Sequence, residues 1–230
     1  MSKAVTDSTD DKRNRWILLD TETTGLNDPV FPIEIAAQPM LGWESEGLPF
    51  HALINFDVPI EPAAVRIHKY TRNYLRRRGS PPQEALERFQ RFAGSLPLAS
   101  YNLAFDWDTV IVPAFSRMRI PNTMQPGFCV LNLVRNLVPG LADYRLITVL
   151  RAFDIAKRQK HHAQQDVDVV VRLLSERIGP HLQGHKVTSL EDVKKCAEGR
   201  LKVPPLYVPV RRPCADTLPG GPSAVKGRES

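Results

Sequence analysis

Apolar positions alternate with polar ones early in the chain and recur at three- or four-residue intervals later, which separates predicted strands from predicted helices. Three apolar runs, at 16–20, 33–40 and 50–56, are separated by Gly, Asn, Asp and Pro and predict the strands of an antiparallel meander. A further short strand is predicted at 96–101. Strands that come first and are followed by alternating helix and strand indicate the α/β class.

The predicted helices are recognised by their apolar stripes and by the residues at their ends. Proline opens the segment at 81–92, where it is tolerated because the first turn of a helix has no partner for its missing N–H. A second proline, Pro113, is expected to interrupt the segment at 106–118. The predicted helices cover residues 63–75, 81–92, 106–118, 128–137, 146–153, 163–178 and 188–200.

The length of 230 residues suits one well-buried domain with an appendage rather than two domains. Residues 1–14 are polar and predict a disordered leader, whereas residues 15–178 contain the main predicted elements. Residues 179–230 form a basic extension rich in Pro and Gly, with nine Lys or Arg against five Asp or Glu. We expect this extension to be partly disordered, with an extended conformation at 203–210.

Composition and charge narrow the function classes less than the motifs do. The excess of 31 Lys and Arg over 25 Asp and Glu gives a net charge of +6 and favours a polyanionic partner. The three cysteines lack CxxC spacing, so neither a disulfide framework nor a zinc site is indicated. No apolar run approaches the ~20 residues of a membrane span and no signal peptide is recognisable, which predicts a soluble, cytoplasmic protein.

Carboxylates at the end of the first strand indicate a metal site. Asp20 and Glu22 follow the apolar run at 16–19, and they point to the same side because side chains alternate along a strand. Two like charges on one face repel each other unless a cation neutralises them. Asp166 lies on the last strong helical pattern and shares a face with Val170 and Leu173, so a carboxylate there faces the core and needs a partner.

Asp106 and two histidines complete the candidate set. Asp106 starts a predicted helix directly after a strand end, and a helix-capping role is the alternative interpretation. His161 lies five residues before Asp166, too far around a helix to share its face, so we expect it to project from the preceding loop. Its neighbour His162 is the rival for any proton-transfer role, because imidazole titrates near neutral pH.

Three ordered motifs resemble those of a known family. Residues 20–26 read Asp-Thr-Glu-Thr-Thr-Gly-Leu, residues 101–106 read Tyr-Asn-x-x-Phe-Asp, and residues 161–166 read His-x-Ala-x-x-Asp. Together they resemble the DnaQ-like (DEDDh) 3′→5′ exonuclease family of the ribonuclease H-like superfamily, over about residues 15–178. Within that family the chain most resembles the exonuclease X branch, through Phe-Cys-Val-Leu at 128–131, Leu-Val-Pro-Gly at 137–140 and the doubled histidine at 161–162. The fold implied is a mixed sheet, an antiparallel meander plus parallel strands, flanked by helices.

The resemblance also implies a mechanism and a set of roles. A phosphodiester is hydrolysed at a DNA 3′ end, on single-stranded or frayed duplex DNA in repair or replication, and nucleoside 5′-monophosphates are released. Two Mg²⁺ ions, replaceable by Mn²⁺, are implied as cofactors. The implied metal ligands are Asp20, Glu22, Asp106 and Asp166, the implied base is His161, and the residues implied to contact the terminal nucleotide are Thr23, Leu26, His68 and Asn102.

Other functions fit parts of the same sequence. A 3′ exoribonuclease of the same fold uses the same hydrolytic chemistry, so RNA remains an alternative substrate. A proofreading or adaptor subunit could bind a polymerase or clamp through the basic extension. The arginine-rich run at 72–78 and the basic run at 157–160 could grip a phosphate backbone, or they could be ordinary solvated surface.

Overall fold

A six-stranded mixed sheet forms the centre of the protein, described by a computed structural model for residues 14–159 and 161–208. Its order is β3-β2-β1-β5-β6, with β4 pairing to β2 on the same side as β3. Strands β1 and β2 are antiparallel, whereas β1, β5 and β6 are parallel. The strands are β1 (Arg15–Thr23), β2 (Pro32–Leu41), β3 (Glu44–Ser45), β4 (Phe50–Leu53), β5 (Pro97–Ser100) and β6 (Gln125–Cys129).

Helices cover both faces of this sheet, which confirms the predicted α/β class. Two stretches wind more widely, as π-helix, at Ala104–Ile111 and Leu174–Ile178. The first continues into α4, and the second joins α7 to α8. The α-helices are α1 (Pro62–His68), α2 (Arg72–Arg78), α3 (Pro82–Ala93), α4 (Val112–Arg117), α5 (Val130–Leu137), α6 (Leu146–Ala152), α7 (Ala163–Leu173), α8 (Gly179–Gly184) and α9 (Leu190–Ala197).

Strand β1 runs through the middle of the sheet and is buried on both sides. Trp16 and Leu18 pack into one core with helices α5 to α9, whereas Ile17 and Leu19 pack into a second core with α3 and α4. This alternation explains the continuous apolar run that begins the strand. The positions that continue the Trp16 and Leu18 stripe are Asp20 and Glu22, so both carboxylates emerge on the α7 side.

Three helix predictions are corrected by the structure. The helix predicted at 128–137 starts only at Val130, because Gln125–Cys129 pairs in parallel with β5 as an edge strand. Proline is tolerated in such an edge strand, and a Cβ at Gly127 would come 2.9 Å from a backbone carbonyl. The helix predicted at 63–75 is divided into α1 and α2 by Lys69, whose φ is +67°. The interruption predicted near Pro113 is a change of winding and not a break: the π-helical stretch ends at Ile111 and α4 begins at Val112, with Pro113 in its first turn.

Residues 179–208 of the basic extension pack on the α7 side of the sheet. Val193 and Cys196 of α9 are buried there, and the Ser189 hydroxyl caps α9 by accepting the Asp192 N–H. The Leu206 N–H donates to the Leu137 carbonyl at 2.7 Å, which holds the proline-rich stretch against α5. The predictions for residues 1–13 and 209–230 lie outside the described residues. Within the described ranges, no helix has both the length and the apolar character needed to cross a bilayer.

Candidate active site

Helix α7 crosses the end of β1 and brings its first turn to the two strand carboxylates. Asp166 is 4% exposed and lies on the same buried stripe as Val170 and Leu173, as the helical periodicity predicts. Ligand atoms of Glu22, His161 and Asp166 all lie within 4.8 Å of one another. The sequence motifs, more than 130 residues apart in the chain, therefore meet at one point.

His161 reaches this point through an unusual backbone conformation. Its φ is +53°, in the left-handed region that residues other than Gly rarely adopt. The next residue, His162, has extended backbone, and α7 begins directly after it. The His162 Nδ1 lies 3.0 Å from the Tyr70 hydroxyl. The two adjacent histidines thus have different surroundings.

Asp106 approaches the same region from the opposite side of β1. The Thr21 hydroxyl donates to one of its carboxylate oxygens at 2.7 Å and the Ser100 hydroxyl donates to the other at 2.9 Å. Asp106 lies in the π-helical stretch and is 4% exposed, so it is not an exposed helix cap. Repulsion from Asp106 contributes to the raised pKa of Asp20, which places the two carboxylates near each other. Repulsion from Asp166 and Glu22 also raises the pKa of Asp20, so Asp20 and Asp106 belong to the same acidic cluster as these two residues.

Burial and mutual repulsion disfavour the ionised carboxylates. Burial raises the pKa of Glu22 to about 8, and neighbouring carboxylates, led by Asp166, add to the shift. Burial raises the pKa of Asp106 to about 6, although its hydroxyl donors lower it. The pKa of Asp20 is raised well above its ordinary value by burial and then by repulsion. Burial also raises the pKa of Asp166, partly offset by a hydrogen bond that the Gln159 amide donates at 2.6 Å.

This donor set fits a divalent cation with a preference for oxygen ligands. Carboxylates that repel one another in a buried site gain most from a positive charge placed between them. Mg²⁺ and Mn²⁺ take carboxylate oxygens and water, whereas the softer transition metals prefer Cys and His. Asp20, Glu22, Asp106 and Asp166 are therefore the residues that could hold such ions.

A fifth acidic residue, Glu34 on β2, lies beside the site but serves a different purpose. Its buried carboxylate accepts a hydrogen bond from His51 Nε2 at 2.7 Å and another from the Ala163 N–H at 3.0 Å. Burial raises the pKa of Glu34, but the hydrogen bonds lower it by a larger amount, so the net shift of the pKa is downward. Ala163 is the first residue of α7, and His162 provides no side-chain cap. Glu34 thus caps α7 from another strand and fixes the segment that carries His161 and Asp166.

Replacement of Glu34 tests this capping role. Glu34→Ala leaves the buried Ala163 N–H without an acceptor, so we expect a loss of about 1.5–3 kcal/mol in the free energy of unfolding and a lower kcat. Glu34→Gln keeps an acceptor oxygen and should lose much less of both. Thermal unfolding and steady-state kinetics measure the difference. Equal losses in the two variants would show that the charge of Glu34, not its acceptor oxygen, is what matters.

A cleft of about 250 Å³ opens next to the carboxylates and includes three of the four residues predicted to contact a terminal nucleotide. Thr23 is buried and donates to the Gly25 carbonyl at 2.9 Å, whereas Leu26 is 79% exposed. His68 is buried, and its Nδ1 accepts the Tyr70 N–H at 3.0 Å. The cleft is lined by Thr21, Glu22, Thr23, Gly25, Leu26, Glu61, Ala63, Ala64, Ile67, His68, Phe105 and His161.

The fourth predicted contact residue, Asn102, is exposed and lies outside this lining, where Phe105 is present instead. The structure adds Glu61, whose carboxylate accepts two hydrogen bonds from Asn27 and lies where a Cβ at Gly25 would overlap it. Gly25 also has a φ of +151°, a backbone conformation that favours glycine. No local sequence signal marks Glu61, because its role depends on contact with a distant loop.

Comparisons with known proteins agree with this fold. A family model described as Exonuclease (RNase T) matches residues 17–174. The PolC-type DNA polymerase III of Streptococcus sanguinis is 29% identical over 182 residues, which cover 77% of this chain and 12% of that protein. Its counterpart from Bacillus cereus is 27% identical over 179 residues, covering 74% and 12%. This chain therefore spans only a small part of the length of these relatives.

Solved structures share the fold at low identity. The zinc-bound complex of Escherichia coli exonuclease I with single-stranded DNA has a TM-score of 0.64 and 20% identity, covering 75% of this chain and 42% of that one. A complex of exonuclease X with 5′-overhanging duplex DNA has a TM-score of 0.56 and 21% identity, covering 79% and 99%.

The mixed sheet and its flanking helices define the ribonuclease H-like fold class. Because the exonuclease model covers more than half of its residues, the chain belongs to the RNase T exonuclease family. The DnaQ-like resemblance based on three short motifs is thereby confirmed.

Proposed function

We propose that this protein is a divalent-metal-dependent 3′→5′ exonuclease that removes nucleoside 5′-monophosphates from DNA. The observation that carries the proposal is the convergence of Glu22, His161 and Asp166 within 4.8 Å, at the end of a cleft. Family membership supports exonuclease chemistry. The solved relatives were captured with single-stranded DNA and with 5′-overhanging duplex DNA, which supports DNA 3′ ends as the substrate.

Each group at the site has a distinct task in this proposal. Thr23, Leu26 and His68 hold the terminal nucleotide so that its phosphate faces the carboxylates, and Asn102 contacts the same nucleotide from outside the cleft lining. His161 takes a proton from the attacking water. The new bond joins the water oxygen to phosphorus, and the bond from phosphorus to the 3′ oxygen of the preceding nucleotide breaks. That oxygen takes up a proton from solvent water and leaves as a hydroxyl group.

The four carboxylates, Asp20, Glu22, Asp106 and Asp166, hold Mg²⁺ or Mn²⁺. When bound, two such ions activate the water and stabilise the departing oxygen. Thr21 and Ser100 position Asp106, and Gln159 positions Asp166, through the hydrogen bonds described above. These positioning contacts explain how ligands from separate elements are held in one geometry.

A second candidate function is proofreading in association with a polymerase. It is favoured by the relatives that are named as PolC-type DNA polymerase III, in which the matching segment is 12% of the protein. In that case the protein would copurify with a polymerase through its C-terminal extension. Recovery of the nuclease alone from cells would count against it.

The direct test is hydrolysis of 5′-labelled single-stranded DNA, duplex DNA and RNA, each with Mg²⁺ and with a chelator. We expect the labelled DNA to shorten stepwise from its 3′ end with Mg²⁺ only. Asp20→Asn should abolish the reaction, because it removes a charged ligand while keeping the shape of the side chain. Asp108→Asn is the matched control, since Asp108 is exposed and lies two residues from Asp106. Metal-independent shortening, or none on any substrate, would contradict the proposal.

A further inference from the structure

A ladder of aromatic rings leads from the cleft to the protein surface. The ring of His68, in the cleft lining, stacks on Tyr70 at a centroid distance of 5.4 Å and an interplanar angle of 24°. Tyr70 stacks in turn on Tyr74 at 5.6 Å and 19°. His68 is 1% exposed, whereas Tyr74 is 37% exposed. The ladder therefore ends on an accessible ring close to the cleft.

The two inner rings of the ladder, His68 and Tyr70, are held in place by a hydrogen bond and by a further aromatic contact. His68 Nδ1 accepts the Tyr70 N–H, and the Tyr70 ring meets His162 edge-on at 5.3 Å. Burial raises the pKa of the Tyr70 hydroxyl, and the neighbouring Glu34 carboxylate adds to the shift, so this phenol stays neutral. Tyr74 donates its backbone N–H to the Thr71 hydroxyl, which caps α2. The Tyr74 ring takes part in none of these polar contacts, so it can be replaced without removing them.

Helix α2 has two different cationic faces. On one face, Arg72 and Arg76 bind the same carboxylate oxygen of Asp57, at 2.9 and 2.6 Å. These hydrogen bonds, led by the one from Arg76, lower the pKa of Asp57 to about 2. The sequence suggested that the whole run at 72–78 could bind a phosphate backbone. Arg72 and Arg76 already pair with Asp57, so only Arg77 and Arg78 of this run remain as candidates.

The other face of α2 carries Tyr74, Arg77 and Arg78, which are neighbours because they are three and four residues apart. Among the described residues, the side chains of Arg77 and Arg78 have no hydrogen-bond or ion-pair partner. Residues 57–78 contain six Lys or Arg against two Asp or Glu, and one of those acids is already bound to arginine. An exposed aromatic ring beside unpaired guanidinium groups suits bases and phosphates of a single strand.

We propose that Tyr74, Arg77 and Arg78 bind the single DNA strand that continues upstream from the nucleotide in the cleft. A base of that strand stacks on the open face of Tyr74, and the guanidinium groups bind phosphates. The inference rests on the proposed function, because that function places a 3′ terminus in the cleft. It adds a preference for substrates whose last nucleotides are unpaired, since a paired base has no free face for Tyr74.

Binding in the absence of hydrolysis tests this surface directly. Fluorescence anisotropy of a labelled oligothymidylate, measured with a chelator, should show that Tyr74→Ala weakens binding by about 5- to 100-fold, the range for loss of one stacked base. Tyr74→Phe keeps the ring and should bind as the wild type does. The double variant Arg77→Ala/Arg78→Ala should reduce the slope of log affinity against log salt by roughly 0.7 for each phosphate that the variant no longer binds.

The matched control is Arg88→Ala/Arg91→Ala on α3, which removes the same charge from arginines that each pair with a glutamate four residues earlier. It should leave the affinity and the salt slope close to the wild-type values. Circular dichroism of all variants confirms that they fold. Wild-type affinity and salt slope in Tyr74→Ala and in the arginine double variant, or equal losses in the α3 control, would overturn the proposed surface.

Hydrolysis separates this inference from the function on which it rests. With Mg²⁺, Tyr74→Ala should raise KM for a long oligothymidylate more than KM for a dinucleotide, because a dinucleotide has only one upstream base. Equal effects on both lengths would overturn the upstream site while the exonuclease function stands. A wild type that cleaves neither length would overturn the function, whereas the anisotropy result would still decide whether this surface binds DNA.

Discussion

Glu22→Gln should make the metal-free protein more stable at pH 8 while it lowers kcat by about 10²- to 10³-fold. The loss of activity follows from the loss of one charged metal ligand, which removes several kcal/mol of stabilisation from the transition state. The gain in stability has a separate cause. Burial disfavours the charged Glu22 carboxylate and neighbouring carboxylates repel it, whereas the uncharged Gln is free of both effects.

The pH dependence has a definite sign. Glu22 has an ordinary pKa of 4.5 when unfolded and a pKa of about 8 when folded, so between these values the folded state binds more protons. The free energy of unfolding of the metal-free wild type therefore falls as pH rises through this window. Glu22→Gln removes that contribution, so its Tm should exceed the wild-type Tm at pH 8 and approach it below pH 4.5.

Thermal unfolding at both pH values, with and without Mg²⁺, checks this prediction. Mg²⁺ should raise the Tm of the wild type more than that of Glu22→Gln, because ligand binding to the folded state stabilises it. The control is Asp168→Asn, an exposed carboxylate on α7 whose oxygen accepts a hydrogen bond from Gln164. A lower Tm for Glu22→Gln than for the wild type at pH 8 would contradict the inference that the charged Glu22 carboxylate destabilises the metal-free protein.

His161→Ala should lower kcat by about 10²- to 10⁴-fold, the range for loss of a general base. His162→Ala should lower it less than about tenfold, because His162 contacts the Tyr70 hydroxyl rather than the carboxylate group. The pair is a matched comparison of adjacent imidazoles. The motif spacing favours His161 as the base, and the closeness of its ligand atom to those of Glu22 and Asp166 supports that choice.

Chemical rescue distinguishes a base from a structural residue. Added imidazole should restore part of the kcat of His161→Ala, because a free base can accept the proton of the attacking water, and it should leave the kcat of His162→Ala unchanged. A purely structural defect at residue 161 would not respond to imidazole. If imidazole rescued His162→Ala and not His161→Ala, the assignment would be reversed.

Much of this protein could be predicted from local periodicity. Alternation along β1 placed Asp20 and Glu22 on one face, and the helical stripe of α7 placed Asp166 inside, in agreement with the structure. Elements whose residues obey one local pattern were predicted well. Strand β6 was missed because Pro126 and Gly127 hide its pattern, and its pairing to β5 depends on an edge position that the sequence does not reveal.

The sequence by itself determined the fold class, the family and the carboxylates that face the α7 side. Tertiary structure alone decided which groups contact one another. Asp106 is positioned by hydrogen bonds from the Thr21 and Ser100 hydroxyls. Glu34 caps a helix that begins 129 residues later. The physical reason is that side-chain periodicity fixes the direction in which a residue points within its own element. The distance between two elements depends on how their buried faces pack, which no local pattern contains.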